Sequence, residues 1–155
     1  MQKITLVALM IIMIIGCAGL ETVPKEERQM QVVYELPGMT KDEIFNRTLE
    51  WMAVTYVSSE SVIEHSDKET GKIIGKGITD FYQPMGVITN KCRYTISIDI
   101  KDGKIRITFS SFVGLFSNGN KPLTHKVSID TAKENLRILS EKLYSSLMKK
   151  EDDNW

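Results

Sequence analysis

The sequence predicts an α+β domain, a curved antiparallel sheet with two helices packed on one face, in the element order β-α-β-β-β-β-α. Residues 91–113 (KCRYTISIDIKDGKIRITFSSFV) alternate between apolar and polar side chains, which is typical of strands with one buried face. Asp102-Gly103 separates the two alternating runs, as expected for a tight hairpin turn. A segment on either side of this hairpin carries apolar residues at helical spacing. The hairpin offers the apolar surface that both helices need.

The first strand and the first helix follow one another closely. Residues 29–36 alternate and end at Pro37-Gly38, which predicts a strand followed by a turn. Thr40 and Glu43 have the spacing of a capping box, so the sequence predicts a helix that begins there and continues to about residue 56. Its inner stripe comprises Phe45, Leu49, Met52 and Tyr56.

The rest of the chain supplies the remaining strands and the second helix. Strands are predicted over residues 62–67 and 72–81, and Gly75 and Gly77 in the second of these indicate a bulge or a bend. Residues 82–90 and 114–126 are predicted as irregular connections. A final helix is expected after an N-cap at Asp130, and its inner stripe comprises Ala132, Leu136, Leu139, Leu143 and Leu147.

The N-terminus is predicted to be a leader over residues 1–16. Residues 4–15 are almost wholly apolar, but the run is shorter than the ~20 residues of a membrane-spanning helix. Ile14-Ile15-Gly16-Cys17 resembles the bacterial lipobox, which implies cleavage before Cys17 and acylation of that residue. A plain secretory leader with an incidental cysteine is the alternative. Ala18 in place of Asp implies, by the same resemblance, an outer-membrane location facing the periplasm.

These patterns divide the chain into four parts. Residues 1–16 are the lipoprotein signal peptide, and residues 17–28 are the lipidated N-terminus and a charge-rich tether with little to fold around. Residues 29–150 form the α+β domain. Residues 151–155 are a polar tail.

Charge argues against a nucleic-acid partner. The 155 residues contain 20 basic and 20 acidic side chains, so the basic excess usual in nucleic-acid-binding domains is absent. The polar face of the hairpin also lacks aromatic residues on which bases stack.

Catalytic and metal-binding patterns are also missing from the sequence. The two histidines, His65 and His125, have no second ligand at metal spacing, and no serine lies in a Gly-x-Ser-x-Gly motif. Cys92 is the one candidate nucleophile, but it falls on the apolar parity of its strand and is expected to be a buried, free thiol. We therefore predict no cofactor, no metal and no enzymatic activity.

Two stretches of the chain resemble a known family. They are residues 32–56 (VVYELPGMTKDEIFNRTLEWMAVTY) and 61–77 (SVIEHSDKETGKIIGKG). Three features that recur in members of the family are present here: a strand ending in Pro37-Gly38, a helix carrying Trp51, and an acidic turn before Gly71-Lys72-Ile73. These two stretches of sequence resemble an uncharacterised domain family of bacterial secreted and lipid-anchored proteins with a TATA-binding-protein-like fold. The resemblance, from about residue 31 to 147, implies a fold and a location but no activity.

The two irregular connections suggest a binding surface. In an up-down meander, the connections after the third and fifth strands emerge at the same end of the sheet. They and the adjacent strand end form a candidate partner-binding rim, whose members are Phe81, Tyr82, Met85, Val87, Leu115 and Phe116. Either these residues close the core, or they form a partly exposed apolar site for a partner or ligand.

Three hypotheses for function follow. The leading one is a non-catalytic domain, attached to the membrane by its N-terminal lipid, that binds a protein, a peptide or another envelope component. The alternative is an envelope hydrolase with an unrecognised active site. A nucleic-acid binder, by analogy of fold alone, ranks last.

Overall fold

The predicted hairpin forms the centre of the sheet. The computed structural model describes residues 21–56, 62–84 and 88–149. The strands are Met30–Glu35 (β1), Val62–Asp67 (β2), Lys72–Tyr82 (β3), Thr89–Lys101 (β4), Lys104–Phe116 (β5) and Gly119–Pro122 (β6). The helices are Lys41–Thr55 (α1) and Lys126–Met148 (α2), and a short 3-10 turn covers Lys25–Glu27.

All strand pairs are antiparallel, and the sheet order is β1-β5-β4-β3-β2. β6 pairs with the last residues of β5, while β1 pairs with its first half, so both lie along the same edge of β5. The α+β class and the β-α-β-β-β-β-α order are confirmed, with β6 as an additional short strand.

One face of the sheet forms the core with the two helices. The inner residues of β4 predicted from alternation are all buried: Cys92, Tyr94, Ile96, Ile98 and Ile100. Thr40 caps α1 as predicted, since its hydroxyl accepts a hydrogen bond from the Glu43 amide at 3.2 Å. Leu136, Leu143 and Leu147 of α2 are buried, whereas Leu139 is partly covered. The other face of the sheet, here called the open face, carries the polar residues of the alternation.

The predicted start of the last helix is wrong. α2 begins at Lys126, with His125 at the N-cap position, and Asp130 lies in its second turn as an i,i+4 ion-pair partner of Lys126 at 3.2 Å. The predicted irregular loop over residues 114–126 is largely the β5–β6 hairpin. Ser117 and Asn118 form the turn, and Gly119, the partner of Phe116, follows it with a φ of +111°, as in hairpins whose turn is followed by a left-handed residue.

A bulge in β5 reverses the alternation. Arg93 lies opposite Val113 but Thr95 lies opposite Ser110, so two residues of β5 face one residue of β4. Ser111 takes the left-handed conformation with a φ of 56°. Odd-numbered residues of β5 are buried before the bulge, and even-numbered ones, starting at Phe112, face the core after it. The bulge therefore decides which side chains of the last residues of β5 face the core and which lie on the open face.

The glycine pair of β3 does not make a bulge. The register of β3 with β4 is continuous from Lys72 to Tyr82, and the irregularity lies in β2 between Ile63 and His65. Gly77 instead leaves room for two tyrosine rings, described below.

Residues 21–28, which belong to the predicted tether over residues 17–28, contact the domain in the structure. The amide of Val23 donates to the carbonyl of Thr124 at 2.8 Å, and the amide of Lys126 donates to the carbonyl of Glu21 at 2.7 Å. Nζ of Lys133 in α2 donates to the carbonyl of Glu27 at 2.8 Å. Residues 21–28 are therefore held against the domain, and Cys17 lies outside the described residues.

Candidate binding surface at the loop end of the sheet

Several segments meet at one end of the sheet, here called the loop end. β3 ends there and β4 begins, since Tyr82 lies opposite Thr89. β5 turns into β6 at the same end. α2 also begins there, because the hydroxyl of Ser128 donates to the carbonyl of Tyr82 at 2.8 Å. The sequence prediction that the two connections share one end is therefore consistent with the structure.

The candidate rim residues do not form one patch. Phe81 faces the helices and is only 1% exposed, so it is part of the core and cannot contact a partner. Phe116 faces the same side and packs on Phe81 edge to face, with ring centroids 5.9 Å apart and planes at 86°. Tyr82 and Leu115 fall on the open face, where Tyr82 is 45% exposed. Met85 and Val87 lie outside the described residues.

Gly114 allows Phe116 to turn inward. A Cβ at residue 114 would lie 2.6 Å from Cε2 of Phe116 and 2.9 Å from Cδ2 of Leu123. The absence of a side chain at Gly114 therefore lets the Phe116 ring and Leu123 close over the strand. The core-closing alternative is supported for the two phenylalanines and not for Tyr82.

A pocket of about 280 Å³ opens at the loop end on the helix side of the sheet. Its apolar walls are Phe81, Pro84, Phe116, Pro122 and Leu123, and its polar walls are Gln83, Lys121, Thr124, His125 and Ser128. Nδ1 of His125 is buried and has no hydrogen-bond partner among the described residues. The same holds for Nδ2 of Asn90, the residue opposite Phe81 in β4. Buried polar atoms of this kind normally find a partner in water or in a ligand.

The pocket contains a serine and a histidine but not a paired nucleophile and base. Ser128 is 2% exposed, and its hydroxyl proton is donated to the Tyr82 carbonyl rather than to an imidazole. A serine in this position is oriented to hold the start of α2 against β3. This geometry does not activate the hydroxyl for attack.

Cys92 behaves as a core residue. The side chain is fully buried, and burial raises the pKa of its thiol to about 12. A thiol that stays protonated at neutral pH is a poor nucleophile. His65 lies exposed on β2.

A second cleft, of about 390 Å³, lies between the C-terminal end of α1, the middle of α2 and the sheet. The hydroxyls of Tyr56 and Tyr94 are 3.0 Å apart at its floor. Burial raises the pKa of Tyr56 to about 12 and also raises the pKa of Tyr94. Neither phenol ionises at physiological pH, so the pair serves as a neutral hydrogen bond between helix and sheet.

Within the described ranges, no three His, Cys, Asp or Glu side chains come together in a way that would hold a metal ion. Nor is any described helix both long and apolar enough to cross a bilayer.

Several residues at the loop end have no sequence pattern that would mark them as part of a site. Ile88, 58% exposed, stands in the β3–β4 connection, and Asn90 and His125 line or adjoin the pocket. The Asn118-Gly119 pair was the one available signal for the β5–β6 hairpin. No sequence pattern predicts that Glu21 lies beside Lys126. Residues 21–23 pair with residues 124–126, and a pairing of three residues is too short to show the alternation of apolar and polar side chains that marks a strand.

Comparisons with known proteins agree on the fold. Residues 31–113 match the family model described as "Domain of unknown function (DUF4468) with TBP-like fold". A TBP-like protein from Parabacteroides distasonis is similar in structure, with a TM-score of 0.67 at 15% identity over 87% of this chain and 99% of that one. A DUF4468 family protein from Bacteroides ovatus gives a TM-score of 0.64 at 13% identity over 84% and 92% of the two chains. A search of curated proteins finds no match.

Proposed function

The chain belongs to the DUF4468 family with its TBP-like fold, and from that premise we propose that it is a lipid-anchored, non-catalytic binding domain of the bacterial envelope. Two features of the chain support the proposal. Ile14-Ile15-Gly16-Cys17 has the form of an acylation site, and the domain that follows exposes apolar side chains at one end.

The observation that carries the binding role is the exposed apolar surface at the loop end. Tyr82, the last residue of β3, is 45% exposed, and Ile88, the last residue of the β3–β4 connection, is 58% exposed. The aromatic-walled pocket opens at the same end on the helix side of the sheet, and Nδ1 of His125, one of its lining residues, has no hydrogen-bond partner among the described residues. Concave apolar sites with a few convergent polar groups are the usual form of a ligand or partner site.

An envelope hydrolase remains the second hypothesis, and the loop-end pocket is where it would operate. Ser128 and His125 both line this pocket. The hydrogen bond from the Ser128 hydroxyl to the Tyr82 carbonyl and the deep burial of Ser128 favour a structural role for the serine. Ser128→Ala tests the hydrolase hypothesis, because a serine hydrolase that uses Ser128 as its nucleophile loses all turnover in this variant, and persisting turnover would exclude that role.

The lipid anchor is tested with Cys17→Ser. We expect the wild-type chain to incorporate radiolabelled palmitate and to be processed, because the Cys17 thiol is the acceptor of the lipid. The variant is expected to accumulate as an unlabelled precursor. Equal labelling of both chains would exclude Cys17 as the anchor. Fractionation of the envelope on a density gradient then tests the outer-membrane location.

The binding role is tested by comparing exposed and buried residues of the loop end. Tyr82→Ala is expected to change the unfolding free energy by less than about 0.5 kcal/mol, as at most surface sites. It is expected to weaken binding to the partner by more than about 1 kcal/mol, as truncation of an anchor residue does, and so to reduce the amount of partner recovered. Phe116→Ala is expected to lower stability, because its ring packs on Phe81. Partner recovery is measured after crosslinking in the native envelope.

Val33→Ala is the matched control for Tyr82→Ala. Val33 is 47% exposed on the open face and lies opposite Arg106, in the half of the sheet away from the loop end. If Val33→Ala and Tyr82→Ala reduce recovery equally, the loop end has no special part in binding.

A further inference from the structure

The N-terminal segment of the domain is fastened at the loop end. The carbonyl of Glu21 accepts from the amide of Lys126 at 2.7 Å, and Thr22 forms an antiparallel bridge with His125. Lys126 is the first residue of α2, whose Ser128 is hydrogen-bonded to the last residue of β3. Whatever precedes Glu21 in the chain is therefore tied to this end of the domain.

Few residues separate this fixed point from the proposed anchor. Only residues 18–20 lie between Cys17 and Glu21. Four fully extended residue steps span at most about 14 Å. The opposite end of the sheet is much farther away, since β3, from Lys72 to Tyr82, runs for about 33 Å. An anchor at Cys17 therefore keeps the loop end within about 14 Å of the bilayer, whereas the link places no such limit on the opposite end.

The exposed residues of the loop end suit a lipid surface. Tyr82 has an apolar ring with a polar tip, the type of side chain that concentrates at membrane interfaces. Ile88 is the more exposed of the two apolar residues. Lys91 and Lys121 are exposed at the same end, and neither has an ion pair among the described residues. Lysines near the surface attract anionic lipid headgroups.

We propose that the loop end lies against the surface of the bilayer that holds the lipid, with Tyr82 and Ile88 at the level of the headgroups. This inference rests on the proposed acylation of Cys17, and it names the envelope component that the loop end contacts. The short link keeps the loop end near the membrane and its exposed side chains face the lipid, so that the opposite end of the sheet points away.

The orientation is tested with the acylated full-length chain in vesicles of phosphatidylethanolamine and phosphatidylglycerol that contain a lipid with a spin-labelled headgroup. A fluorophore is attached to Ile88→Cys, and in a matched variant to Glu69→Cys. Glu69 is exposed in the β2–β3 turn at the opposite end, and its carboxylate forms no ion pair among the described residues. We expect the spin label to quench the fluorophore at residue 88 several-fold more than the one at residue 69.

Flotation of the vesicles distinguishes failure of the proposed lipid anchor from failure of the proposed orientation. If the protein floats with the vesicles but residues 88 and 69 are quenched equally, the orientation is wrong and the anchor stands. Equal quenching is also the result expected if the loop end binds a protein partner and has no affinity for lipid. If the protein does not float, the anchor is wrong and the orientation falls with it.

A longer link tests the reason for the orientation. Inserting about twelve Gly and Ser residues after Leu20 raises the reach from Cys17 to Glu21 to roughly 50 Å. We expect quenching at residue 88 to fall several-fold in the inserted chain while flotation is unchanged. Undiminished quenching would overturn the argument from link length.

Discussion

Replacing Gly77 by alanine tests how the sheet accommodates the tyrosine pair. Gly77 lies on the helix-facing side of β3, opposite Tyr94 of β4. A Cβ at this position would lie 2.7 Å from Cε1 of Tyr56 and closer still to the Tyr94 ring and hydroxyl. Both rings are held by their mutual hydrogen bond of 3.0 Å, so neither can move freely.

Two effects of opposite sign compete in Gly77→Ala. Alanine at an unstrained site stabilises a protein by about 0.4–1 kcal/mol, because it restricts the unfolded chain. Overpacking of a filled core costs about 1–3 kcal/mol, and displacing the tyrosine hydrogen bond adds about 0.5–1.5 kcal/mol. We therefore expect a net destabilisation of roughly 1–3 kcal/mol, which lowers the Tm by several degrees.

Urea and thermal denaturation, followed by circular dichroism, measure this change. Tyr94→Phe removes the hydroxyl that lies above Gly77, so Gly77→Ala is expected to cost less in that background than in the wild type. A Gly77→Ala variant as stable as the wild type, or more stable, would refute the placement of the two rings over this glycine.

Further predictions concern the core, the free thiol and the open face. Ile98→Ala is expected to cost about 2–5 kcal/mol in a denaturation experiment, since Ile98 is fully buried, and Leu139→Ala to cost less, since Leu139 is only partly covered; equal costs would contradict this packing. Cys92 is expected to react with a thiol reagent far more slowly in native than in denatured protein, because burial raises its pKa to about 12; rapid labelling of native protein would show an accessible thiolate. Partial burial by itself would raise the pKa of Asp99, but hydrogen bonds from Lys72 and Arg106 outweigh it and lower that pKa below 3.8. The stabilising contribution of Asp99 is thus present above pH ~4 and is lost as the pH falls through its folded-state pKa. Asp99→Asn is expected to flatten the acid limb of a stability-against-pH curve, and an unchanged limb would assign acid sensitivity to other carboxylates.

The sequence predicted the position of the candidate rim only in part. The end shared by the two connections followed from counting antiparallel strands, and the exposure of Tyr82 agrees with the expected surface. The division of the rim between two faces did not follow, because the bulge at Ser111 changes the parity of β5 without any glycine to mark it. Phe81 and Phe116 consequently meet in the core, and Tyr82 and Leu115 lie on the opposite face.

Local signals determined most of the architecture. Alternation placed β4, β5 and the buried face of each up to the bulge at Ser111, and the Thr40–Glu43 capping box placed the start of α1, because these patterns depend on neighbours within a few residues. The proposed anchor at Cys17 is likewise a matter of sequence alone. The tertiary structure decided what depends on distant residues. It showed that Gly77 makes room for Tyr56 and Tyr94, and that residues 21–23 pair with residues 124–126. These contacts join segments about 20 to 100 residues apart, where no periodicity in the sequence records which surfaces meet.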